Sequence, residues 1–253
     1  MNIAVVTGAS SGMGREFVTA IDRAYAPDEI WVIARRADKL QSLCGQVRAL
    51  VRPLALDLTQ PDALESYGAA LKAAQPDVRV LVCASGFGRF GAVADLTLSE
   101  QMEMIDLNAK ALLGVTHMTL PYLNRGAHVY ELGSLSAFQP VPYIGVYGAT
   151  KAFVLSFSRA LGQELRPRGV RVMAVCPFWV KTPFFDRAVS DDTITYYSHF
   201  YTAQQVVQRA LKDMARGRDV SICGFAARAQ VFFTKLLPHG LVMRIWLKQQ
   251  KKP

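Results

Sequence analysis

A tyrosine and a lysine, Tyr147 and Lys151, stand four residues apart in the segment VYGATKAF. On a helix this spacing places two side chains on one face, one turn apart. The pair is either an ordinary surface contact or a proton donor, since a nearby ammonium group favours the phenolate and lowers the pKa of a tyrosine. Such a pair alone is most often an exposed helix face, so its chemistry depends on the residues that surround it.

A second candidate site lies where the first apolar strand runs into TGASSGMG, residues 7–14. Glycines allow a tight turn and close approach of the backbone, and the free N–H groups of a following helix suit a pyrophosphate. The spacing is G-x-x-x-G-x-G, which differs from the G-x-G-x-x-G dinucleotide fingerprint. Its position between a strand and a helix nevertheless favours a nucleotide site over a purely structural turn.

The end of the second strand indicates which nucleotide is bound. An acidic residue there would accept a hydrogen bond from the ribose 2′-OH of NAD. The chain instead has Ala34 followed by Arg35 and Arg36, and guanidinium groups suit a 2′-phosphate. Arg15, in the glycine loop, could approach the same phosphate. Exposed arginines are also common, but we expect NADP(H), with NAD(H) as the less favoured cofactor.

The elements that would position these residues alternate between short apolar runs and amphipathic stretches. This alternation is typical of a parallel sheet covered on both faces, and no linker rich in Ser, Gly or Pro divides the chain. We predict an α/β fold, a single Rossmann-like doubly wound domain over 1–253 with about seven parallel strands and helices on both faces. The predicted strands are Ile3–Thr7, Glu29–Ala34, Val51–Asp57, Arg79–Ala84, His128–Leu132, Arg171–Cys176 and Asp219–Cys223. The predicted helices are Gly14–Ala26, Asp38–Cys44, Ala63–Ala74, Ser99–Leu123, Tyr147–Leu165 and Ala203–Met214.

Composition argues against several other classes of protein. The chain is 51% hydrophobic and 19% charged, which is enough for a sizeable core and unlike a disordered chain. The four cysteines and four histidines are dispersed, so neither a disulfide scaffold nor a metal site is expected. The net charge of +9 is not accompanied by a nucleic-acid-binding motif, so no nucleic-acid partner is expected. The N-terminal MNIAVVTG enters a strand without a signal-peptide pattern, and we expect a cytoplasmic protein.

The motifs together resemble the short-chain dehydrogenase/reductase family over roughly Ile3 to Gly224. TGASSGMG is similar to its TGxxxGxG cofactor loop, and Asp57-Leu58 matches the position after strand three that contacts adenine. Asn108, in IDLNAKA, falls where the family has its helix-four asparagine. Ser134 in GSLSA, with Tyr147 and Lys151, matches the catalytic serine and the YxxxK motif.

The resemblance implies hydride transfer to or from a carbonyl carbon, with the hydride carried by nicotinamide. Tyr147 would donate the proton, with its pKa lowered from about 10 by Lys151 and the positive nicotinamide ring. Lys151 would also hold the nicotinamide ribose, Ser134 would polarise the carbonyl oxygen, and Asn108 would support a water that links Lys151 to solvent. The implied cofactor contacts are Gly8, Ser10, Ser11, Gly12, Met13, Gly14, Arg15, Arg35, Arg36, Asp57, Leu58, Ala84, Ser85, Gly86, Tyr147, Lys151, Pro177, Val180 and Thr182.

Two segments depart from the family pattern. The NNAG after strand four is here CASG, Cys83 to Gly86, which loses two asparagines that would brace the sheet but keeps room for adenosine. The PG after strand six is Pro177-Phe178, so we expect a reshaped wall near the nicotinamide, with Thr182 still holding the carboxamide. These departures support the alternative function, a catalytically weak NADPH-binding sensor or scaffold protein.

Two further segments bear on the substrate. Residues 183–201 are aromatic and poorly periodic, which favours a substrate lid over a pair of short surface helices. The tail, 226–253, has six basic residues and no acidic ones, and its apolar run is too interrupted to span a bilayer. We expect the tail to pack over the substrate pocket or a neighbouring subunit, with contact to an anionic membrane surface as the less favoured alternative.

The expected partners are a small-molecule substrate and further copies of the chain. The segment PVPYIGVYGATKAFVLSFSRAL resembles the branch of the family with 3-oxoacyl and hydroxysteroid reductases. With the aromatic lid residues, it favours a largely apolar carbonyl or alcohol. Relatives form dimers or tetramers, so a homodimer or homotetramer built through Ser99–Leu123 and Tyr147–Leu165 is expected.

Overall fold

A parallel sheet forms the centre of the protein in a computed structural model, which describes residues 1–189, 193–197 and 199–252. The strands are β1 (Asn2–Thr7), β2 (Glu29–Ala34), β3 (Leu50–Ala55), β4 (Asp77–Cys83), β5 (Leu123–Leu132), β6 (Arg171–Val175), β7 (Trp179–Lys181), β8 (Phe200–Thr202) and β9 (Val220–Ser221). Seven of them form the central sheet in the order β3-β2-β1-β4-β5-β6-β9, and β7 pairs with β8 in a separate parallel sheet. Val5 on β1 lies between Trp31 and Leu81 in the register. The predicted single, doubly wound, seven-stranded sheet is confirmed.

Helices cover both faces of the central sheet. They are α1 (Gly12–Tyr25), α2 (Ala37–Gln41), α3 (Pro61–Ala74), α4 (Leu98–Ile105), α5 (Leu112–Thr119), α6 (Gly145–Leu165), α7 (Phe184–Ala188), α8 (Ala203–Ala215), α9 (Phe225–Leu236) and α10 (His239–Gln249). A π-helix, Asp106–Ala111, joins α4 to α5, and short 3₁₀ helices occupy Leu120–Tyr122, Leu135–Phe138 and Arg166–Arg168.

Each face of the sheet has its own apolar core, because successive side chains of a strand point to opposite faces. On β1, Ala4 and Val6 pack with the residues of α1 and α8. Ile3 and Val5 of the same strand pack with residues of α3, α5 and α6, among them Tyr67. Near-continuous apolar strands are therefore the expected sequence signature of this arrangement.

The structure differs from the predicted elements at several boundaries. The helix predicted over Ser99–Leu123 is divided by the π-helix and ends in a 3₁₀ turn, and β5 begins at Leu123 rather than at His128. Strand β3 ends at Ala55, so Asp57 lies in the following loop. The tail forms two helices, α9 and α10. Within the described residues, no helix is both long and apolar enough to cross a bilayer.

Candidate active site

The glycine loop after β1 is folded tightly against the end of β4. Gly8 has a φ of 67°, and a Cβ at this position would lie 2.6 Å from the carbonyl oxygen of Ala84. A Cβ at Gly14 would collide with the carbonyl group of Gly8. The loop therefore requires glycine at these positions, because no side chain fits between the backbone segments.

The beginning of α1 can accept a negatively charged group. Its N-cap residue, Ser11, makes no side-chain capping hydrogen bond, and the first turn of the helix contains no acidic residue. The first N–H groups of an α-helix lack partners within the helix and attract anions. The loop and helix together therefore fit a dinucleotide diphosphate.

A cleft along this loop brings most of the predicted cofactor contacts together. Its lining includes Gly8, Ser10, Ser11, Gly12, Met13, Gly14, Arg35, Arg36, Asp57, Leu58, Ala84, Ser85, Gly86 and Thr182. Tyr147, Lys151, Pro177 and Val180 line an adjoining cavity, which shares Met13, Ala84, Gly86 and Thr182 with the cleft. The residues present thus fit a nicotinamide dinucleotide that extends from the cleft into the cavity.

The arginines near the cleft have different surroundings. Arg36 Nη2 donates to Ser10 Oγ at 3.1 Å, and Arg35 Nη1 lies 3.9 Å from Asp57 Oδ2. Arg15 differs from its predicted position at the 2′-phosphate: its guanidinium group donates to Ser42 Oγ at 3.2 Å and to Gln46 Oε1 at 3.0 Å. Arg15 is held by the segment after α2 and does not line the cleft.

Ser134, Tyr147 and Lys151 meet in one cavity at the carboxyl end of β5. Tyr147 and Lys151 both lie on the first turns of α6, and Ser134 follows β5 directly. Lys151 Nζ donates to the carbonyl oxygen of Leu132 at 2.7 Å and lies 5.7 Å from the centre of the Tyr147 ring. The three side chains predicted from the family motif are therefore brought together by the fold.

Burial shifts the protonation of this cluster. Burial raises the pKa of Tyr147 to about 12, although its hydrogen bond with Ser134 acts in the opposite direction. Burial lowers the pKa of Lys151 to about 8, against the effect of nearby Cys176 and Glu131. The expected lowering of the tyrosine pKa depends on the positive nicotinamide ring as well as on Lys151, and it stays a prediction for the complex with oxidised cofactor.

Asn108 lies within the π-helix and is fully buried. Its Nδ2 donates to the Phe87 carbonyl oxygen at 2.8 Å and to Thr150 Oγ1 at 3.1 Å, while its Oδ1 accepts from the Phe87 N–H at 3.0 Å. The side-chain amide therefore ties the segment after β4 to α6. The water that Asn108 is expected to support stays a prediction, and the amide group has protein partners already.

The CASG segment is braced by groups that the sequence analysis missed. The Ala84 and Ser85 N–H groups donate to Thr7 Oγ1 at 3.0 and 3.1 Å. Cys83 Sγ lies 3.6 Å from Thr116 Oγ1, which donates to Glu131 Oε1 at 2.8 Å. These contacts connect the end of β4 to β1 and, through Thr116 on α5, to β5, at the position where the family has asparagines.

Glu131 is a fully buried carboxyl group close to Lys151. Its Oε2 atom has no hydrogen-bond partner among the described residues, and burial raises its pKa to about 7. The residue follows Tyr130 and precedes Leu132, whose carbonyl oxygen holds Lys151. A single charged residue within the apolar run HVYEL was the sequence signal that could have identified it.

The cavity beside Tyr147 has predominantly apolar walls. These include Phe90, Val141, Ile144, Phe178, Trp179, Phe184, Phe185 and Trp246. Phe178, which replaces the family's glycine, does form part of the wall near Pro177. Phe184 and Phe185 come from the segment predicted as a lid, of which residues 190–192 and 198 lie outside the described chain.

The tail closes one side of this cavity. Trp246 on α10 lines the cavity and donates from Nε1 to the Pro142 carbonyl oxygen at 3.0 Å. The Gln250 side chain accepts from the N–H groups of Thr195 and Tyr196 at 3.0 Å each and donates to the Tyr196 carbonyl oxygen at 3.3 Å. The end of the chain is thus bonded to the segment that follows α7.

The sequence is similar to a known family of enzymes and to characterised members of it. Residues 2–193 match the model of the family described as short chain dehydrogenase. The chain is 36% identical over 186 residues to serine 3-dehydrogenase from Agrobacterium fabrum, a match that covers 71% of this chain and 72% of the relative. It is 36% identical over 205 residues to sulfoacetaldehyde reductase 2 from Chromohalobacter salexigens, covering 75% and 79%.

A solved structure resembles nearly the whole chain. The short-chain dehydrogenase from Sphingobium yanoikuyae in complex with NADPH aligns with a TM-score of 0.79 and 28% identity, covering 96% of this chain and 95% of the other. This likeness includes the region of the tail, because it extends well beyond the residues matched by the family model.

Proposed function

This chain belongs to the short-chain dehydrogenase family and is an oxidoreductase, and on that premise we propose that it transfers hydride between NADP(H) and a largely apolar carbonyl or alcohol. The observation that carries the proposal is the meeting of Ser134, Tyr147 and Lys151 in an apolar cavity that adjoins the glycine-lined cleft. A bound nicotinamide supplies the hydride, so the protein has to orient the substrate and move one proton.

Each of the three polar side chains has a distinct role in this proposal. The Ser134 hydroxyl group binds and orients the substrate oxygen, and the Tyr147 hydroxyl group donates a proton to it as an alkoxide develops. Proton donation of this kind contributes on the order of 10²- to 10⁴-fold to a rate. Lys151 holds a positive charge near the phenol, and its hydrogen bond to the Leu132 carbonyl oxygen fixes its position.

The choice of NADP(H) rests on the residues after β2. Arg35 and Arg36 line the cleft, and neither Ala34 nor either arginine offers a carboxylate to a ribose hydroxyl group. The N-terminus of α1 would hold the diphosphate, Asp57 and Leu58 would border adenine, and Thr182 would hold the carboxamide. Arginine suits phosphate because its donors form charge-assisted, bidentate hydrogen bonds.

The cavity also favours an uncharged, apolar substrate. Among its described lining residues, Lys151 is the single charged side chain, and it is already bonded to the Leu132 carbonyl oxygen. A site of this kind has no cation free to pair with the carboxylate of serine or a sulfonate, the groups implied by the names of the two relatives. We therefore favour a 3-oxoacyl compound, a ketosteroid or a similar molecule.

Self-association is the remaining part of the proposal. Met102 and Ile105 on α4, Leu113 on α5 and Phe153 on α6 are exposed apolar side chains on the helices predicted to form subunit contacts. Their exposure supports a homodimer or homotetramer through these helices. A cytoplasmic location remains an expectation.

The proposed activity is tested by NADPH oxidation with 3-oxoacyl thioesters, ketosteroids, simple aldehydes and sulfoacetaldehyde. We expect turnover of an apolar ketone, and a loss of at least about 100-fold in kcat for Tyr147→Phe. Tyr122→Phe, at the opposite end of β5, is the matched control and should keep its activity. NADPH binding, measured by fluorescence, should be retained in both variants.

Two results would contradict the proposal. Tight NADPH binding by the native protein without turnover of any substrate would favour the sensor or scaffold function instead. Turnover that survives Tyr147→Phe would show that another group donates the proton.

A further inference from the structure

The two tail helices bury one face against the protein. On α9 the buried residues are Ala227, Val231 and Thr234, and on α10 the buried residue is Val242. Ala227 and Val231 pack with Leu135 and Phe138, and Trp246 on α10 lines the substrate cavity. The inner face therefore accounts for the buried apolar residues of the tail but not for its exposed ones.

The opposite face of α9 is apolar as well. Phe225, Phe232 and Leu236 are 79%, 59% and 65% exposed. They are separated by seven and then four residues, which places them on one stripe of a helix. A helix that is apolar on both sides is expected to contact apolar groups on both sides. The protein interior covers the inner side of α9, and its outer side faces solvent.

The outer face of α10 combines apolar and basic side chains. Leu241 and Ile245 are each 45% exposed, one turn apart, and Arg244 and Lys248 are exposed beside them. The connection between the helices adds the exposed Leu237. We call the outward-facing residues of α9 and α10, Phe225, Phe232, Leu236, Leu237, Leu241, Arg244, Ile245 and Lys248, the tail surface.

The charge of the tail has one sign. Residues 226–252 contain Arg228, Lys235, Arg244, Lys248, Lys251 and Lys252 and no acidic residue. Lys235 and Lys252 lie near the rings of Phe138 and Tyr143, at 5.7 and 5.4 Å from their centres. Within the part of the chain that is described, no ion pair involves these six side chains.

We propose that the tail surface binds the surface of an anionic lipid bilayer. Its apolar side chains would enter the boundary between headgroups and acyl chains, and its basic side chains would contact the anionic headgroups. A second copy of the chain fits less well, since a two-fold contact would place the same positive charges opposite one another. This inference rests on the tail alone and is independent of the proposed activity.

A second cavity connects the tail surface with the interior. It is lined by residues of both tail helices, including Phe233, Leu237, Ile245 and Trp246. Phe178, Trp179 and Trp246 border this cavity and the substrate cavity alike. An apolar molecule that leaves the bilayer between α9 and α10 would therefore meet apolar side chains up to the substrate cavity.

Vesicle co-sedimentation of the full chain tests the proposal. We expect the protein to partition onto vesicles of phosphatidylcholine and phosphatidylglycerol, to bind pure phosphatidylcholine much more weakly, and to be released by salt. Arg244→Gln with Lys248→Gln should weaken partitioning on the order of 30-fold, because each basic residue near the membrane surface contributes roughly fivefold. Phe232→Ser with Leu236→Ser should weaken it at least about tenfold.

Matched variants separate membrane binding from general effects. Lys72→Gln with Lys212→Gln removes two exposed charges elsewhere, and Leu50→Ser with Val93→Ser removes two exposed apolar side chains elsewhere. Both should partition like the native protein. Circular dichroism and NADPH binding confirm that each variant is folded.

Three outcomes would overturn the proposal. The first is absence of the native protein from the vesicle pellet at every lipid composition. The second is equal binding of the native protein to anionic and zwitterionic vesicles. Alternatively, Phe232→Ser with Leu236→Ser could lower the molar mass measured by light scattering without vesicles, which would identify the tail surface as a subunit interface.

Discussion

At the scale of single residues, three arginines near the glycine loop differ in the groups that their side chains contact. Arg35 and Arg36 lie along the cleft, whereas Arg15 is bonded to Ser42 and Gln46. All three have the same charge, so charge alone would predict equal effects on the binding of a 2′-phosphate. The positions of the side chains predict unequal effects.

We predict that Arg35→Ser with Arg36→Ser raises the KM for NADPH by about 10- to 100-fold, the effect of losing a single hydrogen bond to a charged group, which contributes about 1.5–3 kcal/mol. The KM for NADH should change little, because NADH lacks the 2′-phosphate. Steady-state kinetics with both cofactors measures the difference. Arg15→Ser is the control and should leave the KM for NADPH within about twofold; an unchanged KM in the double variant would contradict the assignment of NADP(H).

Residue spacing explains which parts of the site could be predicted. Ser134, Tyr147 and Lys151 are close in sequence and follow a fixed pattern, so the resemblance identified them and the fold brings them together. Glu131 was missed because its burial depends on Thr116 and on other elements of the fold, which spacing does not reveal. The hydrogen bonds of Arg15 could not be predicted for a similar reason, since its partners lie beyond α2.

At the scale of elements, the tail helix α10 forms part of the substrate cavity through Trp246. Its indole ring packs within the aromatic cluster around Phe90 and Trp179, and its N–H group is bonded to the Pro142 carbonyl oxygen. The helix therefore contributes to the cavity although it is remote in sequence from Ser134, Tyr147 and Lys151. The glycine loop and its cofactor contacts are separate from it.

We predict that Trp246→Ala raises the KM for an apolar substrate about tenfold or more, because a large apolar wall of the cavity is lost. The KM for NADPH should stay within about twofold, since Trp246 does not line the cleft. Trp246→Phe keeps an aromatic ring without the N–H group and should have an intermediate effect. Equal changes in the KM for substrate and cofactor would show that the substitution disturbs the whole fold.

The elements themselves were predictable to different degrees. The strands of the central sheet are apolar runs bounded by turns, and their positions were predicted closely except for β5, which begins at Leu123 instead of His128. Strands β7 and β8 contain three residues each, which is too short to show a period of two. The division of the predicted Ser99–Leu123 helix could not be predicted, since the hydrogen-bond pattern of a π-helix has no distinct apolar period.

At the scale of the whole molecule, the fully buried Glu131 and the half-buried His128 have opposite effects on how stability changes with pH. Burial raises the pKa of Glu131 to about 7, so the folded protein favours the protonated carboxyl group. Because the unfolded chain ionises at a lower pH, this group lowers the free energy of unfolding as the pH rises from about 4.5 to 7. Burial lowers the pKa of His128 to about 4, so stability is lost as the pH falls from about 6.5 to 4. The two effects have opposite signs over nearly the same range.

We predict that Glu131→Gln removes one of these effects and leaves the other. Relative to the native protein, the free energy of unfolding of the variant should increase by about 3 kcal/mol between pH 4.5 and 7, because the amide cannot ionise. Urea unfolding at several pH values measures this difference. Glu65→Gln, at an exposed position on α3, should show no pH-dependent difference; a difference for Glu131→Gln that stays the same at every pH would show that folding does not shift the pKa of this carboxyl group.

The π-helix of Asp106–Ala111 has a consequence for how this gene can change. Each hydrogen bond of a π-helix spans one residue more than a hydrogen bond of an α-helix. In this protein the wider turn contains Asn108, whose side chain is bonded to Phe87 and Thr150. A single-codon deletion within it would let α4 and α5 merge into one regular α-helix, and the wide turn that places Asn108 against Phe87 and Thr150 would be lost. Descendants of this sequence are therefore expected to vary in residue type along α4 and α5 far more readily than in length.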